Sequence, residues 1–375
     1  MITGSKELIR DINTQLVLDK IRQEGPISRA TISKQLGLTK ATISSIVQVL
    51  MDKDLVREIG SDNTKKGRKP ILLQFNKGCG YVISLDLSPD FITVMSADLS
   101  GQNCSLRRVE NRAGREEIIP ILKGMISKAM KQLPVCTYGV VGISLGIHGV
   151  VHENIPHFVP YSPYAELDFA GALTERFGIP VLLENEANLA VLGEWNYSFH
   201  TPNMLSISVH SGIGLGIIMN NELIRGQNGF AGEFGHSIIS VDGRPCPCGN
   251  HGCLEQYASE RALLKTLSKV KGEEVTPDRF ATLYRAQDQD AIQTMKDFIK
   301  YLSVGINNLL NTINPEIIVV NSSFTMNFPE ITKEIHANLY NYAQRFGRIE
   351  PSLLQDTAIL LGGVTQCVRH FIENL

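Results

Sequence analysis

The sequence concentrates metal-ligating side chains between Gly232 and Glu255. One imidazole and three thiols follow one another in the pattern H-x9-C-x-C-x4-C, namely His236, Cys246, Cys248 and Cys253. This set supplies the four ligands of a tetrahedral structural zinc site. Because four protein ligands leave no open coordination position, we expect the zinc to shape a loop rather than to activate water.

Two alternatives accompany this interpretation. Free cysteines are often small buried hydrophobic residues, although three of them within eight residues, among prolines and glycines, favour a metal site. His251 is a rival for the histidine ligand. Glu233 and Glu255 flank the cluster, so their carboxylates are free to meet a polar ligand or are surface carboxylates with no such role.

Length and charge set the broad class of the protein. The chain has 375 residues, 43% of them hydrophobic, which predicts about two or three domains. Residues 1–75 carry 13 basic and 8 acidic residues, a net charge of +5, whereas the whole chain carries −2. A basic head on an acidic body indicates that the head meets a polyanion.

Cysteine usage and hydropathy indicate the compartment. The seven cysteines are an odd number, with four of them scattered, which is typical of a reducing compartment with a metal site rather than a disulfide framework. The first residues have no apolar core of a signal peptide, and no apolar run reaches membrane-spanning length. We therefore expect a cytoplasmic protein with no membrane partner.

The first 75 residues predict a helix-turn-helix. Apolar residues from Asn13 to about Gln23 have helical spacing, Ser28 is placed to cap a second helix, and Thr39 to cap a third after the turn at Gly37. The outward face of the third helix carries small and polar residues suited to base edges in a major groove. These candidate DNA-binding residues are Thr39, Lys40, Ala41, Thr42, Ser44, Ser45 and Gln48. The alternative is an amphipathic helix with a solvated polar face.

A basic hairpin follows the third helix. Two predicted strands, from Leu55 and from Ile71, flank a loop with four basic residues, Lys65, Lys66, Arg68 and Lys69. Such a loop is a wing suited to phosphates or to a narrow minor groove, or it is a basic loop that is merely solvated.

After Asn76 the sequence alternates strands and helices, which predicts α/β architecture with ligand loops at strand ends. The Gly-E-x-Gly-His and cysteine motif, the winged head and the Asn185-Glu-Ala-Asn188 stretch resemble the ROK family (repressors, open reading frames and sugar kinases). The resemblance implies an actin-like, ribonuclease-H-like two-lobed sugar-kinase fold behind a winged helix-turn-helix. The implied domains are a head at 1–75, a small lobe at 76–188 completed by about 360–375, and a large lobe with the zinc loop at 189–359.

The resemblance also implies a sugar site and one structural zinc per chain. Its sugar-binding positions fall on Gly149, Asn185, Glu186, Glu233, His236 and Glu255. His236 would serve the sugar and the zinc together. Tyr161 and Tyr164 depart from the family pattern and are candidates to line or reshape this pocket.

Three departures from the family bear on phosphoryl transfer. The phosphate loop Asp-x-Gly-Gly-Thr is replaced by Asp86-Leu-Ser-Pro-Asp90, and the catalytic aspartate position holds Glu186. The late nucleotide turn loses its glycines and leads to Phe324, which could fill the nucleotide pocket. The remaining Gly-rich turn, Ser211 to Gly216, is weak evidence of nucleotide binding because it can serve close packing alone. We therefore predict that the chain is not an enzyme.

The pattern most resembles the xylose-repressor branch of the family. We expect a sugar-responsive repressor of carbohydrate-utilisation genes, a homodimer or dimer of dimers, with operator DNA and a monosaccharide, xylose favoured, as its partners. Two other functions stay open: an ATP-dependent sugar kinase with an added DNA-binding head, and a constitutive DNA binder with a ligand-free body. A phosphotransferase-system protein is the alternative partner if no sugar acts.

Overall fold

The computed structural model describes residues 6–61, 70–339 and 347–375. The head contains three helices and a three-stranded sheet in the order β1-β3-β2. Its elements are α1 (Lys6–Glu24), β1 (Ile27–Ser28), α2 (Arg29–Leu36), α3 (Lys40–Asp52), β2 (Val56–Ser61) and β3 (Ile71–Phe75). The four predicted wing residues, Lys65, Lys66, Arg68 and Lys69, lie outside the described residues.

The predicted helix caps of the head are confirmed. The Ser28 side chain accepts from the backbone N–H of Thr31, and the Thr39 side chain accepts from that of Thr42. Gly37 ends α2 at φ 67°, a left-handed conformation that glycine adopts without strain.

The first helix differs from its prediction. It begins at Lys6, seven positions before Asn13, and Leu16 is exposed although its spacing predicts an inward side chain. The first half of α1 buries no apolar stripe against the head, so local periodicity does not reveal it.

The body begins with a five-stranded sheet in the order β10-β7-β4-β5-β6, called here the first sheet. The elements of this part are β4 (Tyr81–Leu87), β5 (Phe91–Asp98), β6 (Ser105–Glu110), α4 (Ile118–Met130), β7 (Val140–Ile147), β8 (Val150–His152), β9 (Ile155–Phe158), α5 (Phe169–Phe177), β10 (Val181–Asn185) and α6 (Glu186–Glu194). Strands β4, β7 and β10 are parallel, and their register aligns Leu87, Ile147 and Asn185. The residues that follow these three positions therefore lie at one edge of the sheet.

A second five-stranded sheet has the order β13-β12-β11-β14-β15. Its part of the chain contains β11 (Met204–Val209), β12 (Ile213–Met219), β13 (Glu222–Leu223), α7 (Glu255–Ala258), α8 (Glu260–Lys271), α9 (Pro277–Arg285), α10 (Gln289–Thr312), β14 (Ile317–Ser322), α11 (Ser323–Asn327), α12 (Ile331–Ala337) and β15 (Arg348–Pro351). The turn after β11 carries His210 to the end of this sheet, beside the end of β14.

The last helix, α13 (Ala358–Glu373), connects the parts of the molecule. It packs along α6 and against β4 and β7. The two helices approach closely because glycines face each other's backbone: a Cβ on Gly362 would lie 1.8 Å from the Leu189 carbonyl oxygen, and one on Gly193 would lie 2.2 Å from that of Ala358.

The head packs onto the first-sheet side of the body through a continuous apolar core. Val17 and Ile21 of α1 belong to the same buried cluster as Val364 and Val368 of α13. Polar contacts border it, and the Tyr138 hydroxyl donates to the Lys53 carbonyl oxygen at 2.7 Å. The packing places the head beside α13, the helix that packs along α6.

Within the described ranges, no helix combines the length and the apolar character that crossing a bilayer requires.

Candidate functional site

A polar cleft lies where the ends of the two sheets face each other. It contains about 560 Å³ of space, part of it open to solvent. All six predicted sugar-binding residues line this cleft: Gly149, Asn185, Glu186, Glu233, His236 and Glu255. The parallel register of β7 and β10 explains why the first three meet, because Asn185 lies opposite Ile147.

Asn185 and Gly149 shape the floor of the cleft. The Asn185 side-chain oxygen accepts from the backbone N–H groups of Ala187 and Asn188, and therefore caps α6. Its amide nitrogen donates to the Gly149 carbonyl oxygen at 2.9 Å. A Cβ on Gly149 would lie 2.2 Å from the Phe158 carbonyl oxygen, so this close approach requires glycine. Most of the hydrogen-bonding capacity of Asn185 is thus used to hold the backbone in place.

Glu186 is the first residue of α6 and points into the cleft. Its Oε2 atom is buried and has no hydrogen-bond partner among the described residues. Burial raises the pKa of this carboxyl to about 7, while the charge of His148 opposes the rise. A buried acceptor without a partner suits a ligand hydroxyl that donates a hydrogen bond.

The Asp86–His148 pair was not predicted as part of the site. His148 Nε2 lies 2.8 Å from Asp86 Oδ1, and both residues sit at the ends of parallel strands. Burial alone would lower the pKa of His148, but the charge and hydrogen bond of Asp86 outweigh it and raise the pKa to about 9. The sequence offered one signal for this pair: His148 is an ionisable residue beside Gly149, at the end of a strand.

Three of the cleft residues lie against the cysteine cluster. His236 Nε2 lies 3.7 Å from Glu233 Oε2, while its Nδ1 lies 3.8 Å from Glu255 Oε1. The Cys246 thiol donates to Glu255 Oε1 at 3.1 Å. Burial raises the pKa of Glu233, and the nearby Glu255 adds to the rise while His236 opposes it. The imidazole therefore lies between the carboxylates of Glu233 and Glu255.

The predicted metal ligands form one cluster. The candidate ligand atoms of His236, Cys246, Cys248 and Cys253 all lie within 4.8 Å of one another. The His236 Nδ1–Cys246 Sγ distance is 3.6 Å and the Cys248–Cys253 Sγ distance is 3.7 Å. Bonds of about 2.0 Å to nitrogen and about 2.3 Å to sulfur place tetrahedral zinc ligands about 3.5–3.8 Å apart, so this donor set fits zinc.

The loop that carries the thiols excludes the rival histidine. Bridges pair Ile238 with Cys253 and Pro245 with His251, which folds the segment back on itself. The His251 side chain is exposed and lies outside the cluster. A metal held by the other four residues would lie beside the cleft, which His236 also lines.

The candidate DNA-binding residues lie along one side of α3. Thr39, Lys40, Ala41, Ser44, Ser45 and Gln48 are exposed and Thr42 is partly exposed. Ile43, Ile46, Val47 and Leu50 are buried on the opposite side. Three of the polar groups have local partners: Thr39 caps the helix, its hydroxyl also pairs with that of Thr42 at 2.8 Å, and Gln48 donates to Asp52 at 2.9 Å.

The regions expected to handle nucleotide phosphates make internal packing contacts, although Ser211, Gly212, Ile213 and Gly214 of the Gly-rich turn also line the cleft. A Cβ on Gly216 would lie 2.2 Å from the Ala187 carbonyl oxygen, so the Gly-rich turn serves the contact between β12 and α6. Phe324 is buried and stacks on Phe280 with ring centroids 4.4 Å apart. Ser88 closes a tight turn by accepting from the backbone N–H of Phe91 at 3.0 Å.

The sequence profile of the ROK family matches residues 82–365. The chain belongs to the ROK family. A xylose repressor of Bacillus spizizenii is 35% identical, with 100% of this chain and 99% of that protein covered. A xylose repressor of Caldicellulosiruptor bescii is 32% identical, with 99% and 98% covered.

Solved ROK structures agree in fold. A ROK family transcriptional regulator described as a homologue of the Escherichia coli MLC protein has a TM-score of 0.81 at 24% identity, with 97% of this chain and 98% of that chain covered. A ROK family glucokinase from Streptomyces griseus, in complex with glucose and AMPPNP, has a TM-score of 0.69 at 23% identity, with 76% and 99% covered. The predicted fold class, a two-lobed ROK sugar-kinase fold behind an N-terminal head, is confirmed.

The two tyrosines that depart from the ROK pattern have different surroundings. Tyr161 lines the cleft, whereas Tyr164 is buried in the first-sheet core and its hydroxyl donates to the Ala113 carbonyl oxygen at 2.9 Å. A further contact joins the two sides of the cleft: Arg225 Nε donates to Glu184 Oε2 at 2.6 Å. Neither Arg225 nor Glu184 belongs to a motif, so sequence reasoning missed this pair.

Proposed function

We propose that this ROK protein is a transcriptional repressor whose affinity for operator DNA responds to a monosaccharide bound in the cleft, with xylose favoured. One observation carries the proposal. Helix α6 begins in the cleft at Glu186, α6 packs along α13, and α13 shares an apolar core with the helix-turn-helix. The xylose repressors named above, which align along nearly the whole chain, support xylose as the effector.

The chemistry of the cleft supports a neutral polyol ligand. Its wall presents the carboxylates of Glu186, Glu233 and Glu255, which accept hydrogen bonds from hydroxyl groups. Asn185 holds the turn that places Glu186, as its cap on α6 shows. A ligand with several adjacent hydroxyls satisfies these acceptors better than an anion, which the carboxylates repel.

We propose that the four-ligand cluster holds a structural zinc. A bound zinc would supply charge and a closed tetrahedral anchor for the loop. Held by Nδ1, the imidazole of His236 would be fixed with its Nε2 toward Glu233, and the chain would present both groups to the ligand in one orientation.

The proposed domains are 1–75, 76–188 completed by about 360–375, and 189–359. Because the head and the first sheet share a core, the head moves with that part of the body as one unit. In a homodimer, a ligand that changes the angle between the two sheets would change the spacing of the two heads, and operator half-sites require a defined spacing.

We propose that the chain has lost kinase activity. In addition to Glu186 at the catalytic aspartate position, the Glu260 carboxylate accepts a hydrogen bond from the backbone N–H of Ser323 at the end of β14. The Ser323 amide is therefore already paired, and the neighbouring ring of Phe324 is buried, so neither presents a free group to a nucleotide phosphate. A coupled assay for ADP release with ATP and a monosaccharide panel tests this: turnover with any sugar would contradict it.

An operator-binding assay tests the proposed function. Operator sequences selected from a random DNA library with the full-length protein provide the probe, and fluorescence anisotropy measures affinity at a fixed salt concentration. The sugars to be added are xylose, glucose, fructose and an N-acetylhexosamine. One of them is expected to change the affinity of the protein for operator DNA by about 5–150-fold. Unchanged affinity with every sugar would refute the effector role.

A further inference from the structure

Tyr161 connects the two sides of the cleft at the carboxylate where a ligand is proposed to bind. It lies on the loop between β9 and α5, on the first-sheet side. Its hydroxyl donates to Glu255 Oε1 at 3.4 Å, and Glu255 begins α7 on the second-sheet side. The Tyr161 ring also lies under the guanidinium of Arg261, 4.6 Å from the ring centroid.

The other donors to Glu255 come from its own side of the cleft. They are the Gln256 side-chain amide and, when no metal replaces its proton, the Cys246 thiol, each 3.1 Å from Oε1. Within the described ranges, Tyr161 is therefore the donor that reaches this carboxylate from across the cleft. Its phenol places an O–H group where a sugar hydroxyl would otherwise donate.

We propose that Tyr161 is a latch that occupies Glu255 in the ligand-free protein and is displaced when a ligand hydroxyl binds there. This inference rests on the proposed function. It assigns to Tyr161 the role of competing with the ligand for Glu255. Release of the phenol breaks a contact between the two sides of the cleft, which couples ligand binding to the angle between the sheets.

The burial of the phenol agrees with this arrangement. Burial and the neighbouring carboxylate of Glu255 raise the pKa of Tyr161 to about 12, so the hydroxyl stays protonated and remains a donor at neutral pH. The contact is long for a hydrogen bond, which suits an interaction that a ligand can replace.

The proposed latch predicts whether a substitution of Tyr161 raises or lowers the affinity for the sugar. Tyr161→Phe keeps the ring against Arg261 but removes the donor, so the fraction of molecules with an accessible Glu255 rises and the apparent affinity for the ligand rises with it. A residue that contacted the sugar directly would show the opposite sign, because its loss would weaken binding.

Isothermal titration with xylose, on zinc-loaded full-length protein, provides the test. We expect Tyr161→Phe to bind about 3- to 10-fold more tightly than the wild type, and operator release to need correspondingly less sugar. Tyr164→Phe is the matched control, since the same atom is removed from the same loop, but its hydroxyl bonds within the first-sheet core. The control is expected to leave the sugar affinity unchanged.

Each outcome has a defined meaning. Equal or weaker binding by Tyr161→Phe, with normal binding by the wild type, would overturn the latch and leave the proposed function standing. Tighter binding by both tyrosine variants would also overturn it, because the effect would not depend on Glu255. If the wild type bound neither xylose nor any other monosaccharide of the panel, the proposed function and the latch would fall together.

Discussion

The Tyr138 hydroxyl donates a hydrogen bond to the carbonyl oxygen of Lys53 at 2.7 Å, and so connects the end of α3 to the body. The Tyr138 ring packs edge-on against Phe371 of α13, with centroids 5.0 Å apart. One side chain therefore contacts both the head and α13, the helix that packs along α6. If sugar binding in the cleft changes the operator affinity of the head as proposed, the contacts of Tyr138 help to transmit that change.

Tyr138→Ala is expected to uncouple the head from the sugar. The variant loses the hydrogen bond and the ring contact, so the sugar-dependent change in operator affinity should fall to about threefold or less, from about 5–150-fold in the wild type. Operator anisotropy with and without sugar measures the change. Tyr138→Phe, which keeps the ring, should retain most of the response, and full coupling in Tyr138→Ala would place the route elsewhere.

Loss of a single thiol should remove the metal. Cys248→Ser leaves three ligands in the cluster, so we expect zinc to fall from about one equivalent per chain to near zero after dialysis against a mild chelator. Because the loop also carries Glu233 and Glu255, sugar binding should weaken at the same time. Metal analysis by mass spectrometry measures the first effect, and Cys104→Ser, an exposed cysteine outside the cluster, is the control. Retention of one equivalent by Cys248→Ser would disprove the ligand set.

The Asp86–His148 pair should make stability depend on pH. The folded pKa of His148, about 9, lies above its ordinary value of 6.5. Its contribution is therefore fully present below pH 6.5 and is lost as the pH rises through about 9. The free energy of unfolding of the wild type should exceed that of His148→Gln by at most about 3 kcal/mol at pH 6.

Urea unfolding at pH 6 and pH 9.5 checks this difference. It should shrink markedly at the higher pH, because the imidazolium that faces Asp86 and Glu186 has then lost its proton. His152→Gln removes an imidazole from the nearby strand β8 as a control. A His148→Gln difference that is the same at both pH values would show that the pKa of His148 is not raised in the folded protein.

The exposed side of α3 should contribute to operator affinity through charge as well as shape. Lys40 is exposed at the first position of this helix. Lys40→Ala should weaken binding to all sequences and reduce the salt slope of the binding constant by about 1. Arg68→Ala in the predicted wing should do the same. Lys128→Ala, on the body, is the control, and a salt slope unchanged by Lys40→Ala would exclude a phosphate contact by that lysine.

The features predicted correctly from the sequence are those encoded over short distances. The caps at Ser28 and Thr39 depend on the next three residues, and the metal cluster depends on four ligands within 18 residues. The convergence of Glu186 with Glu233 and Glu255 followed from the family resemblance, because no local pattern links such distant positions.

The features missed depend on contacts between distant parts of the chain. The pairing of Asp86 with His148 follows from the register of β4 and β7, and the contact of Arg225 with Glu184 joins the two sides of the cleft. The sequence alone does not distinguish Tyr161 from Tyr164. In the structure, Tyr161 lines the cleft and Tyr164 is buried. Only the packing of the loop between β9 and α5 separates their roles.

The most direct test of the account is operator affinity measured with and without a saturating monosaccharide, on zinc-loaded wild-type protein and on Glu186→Gln. We predict that one sugar, xylose in first place, lowers the affinity of the wild type by about 5–150-fold. We predict little effect of the sugar on Glu186→Gln, because an amide N–H donor can then face the ligand where the unpaired Oε2 of Glu186 accepts. Tight operator binding that no sugar changes in the wild type would contradict the central claim.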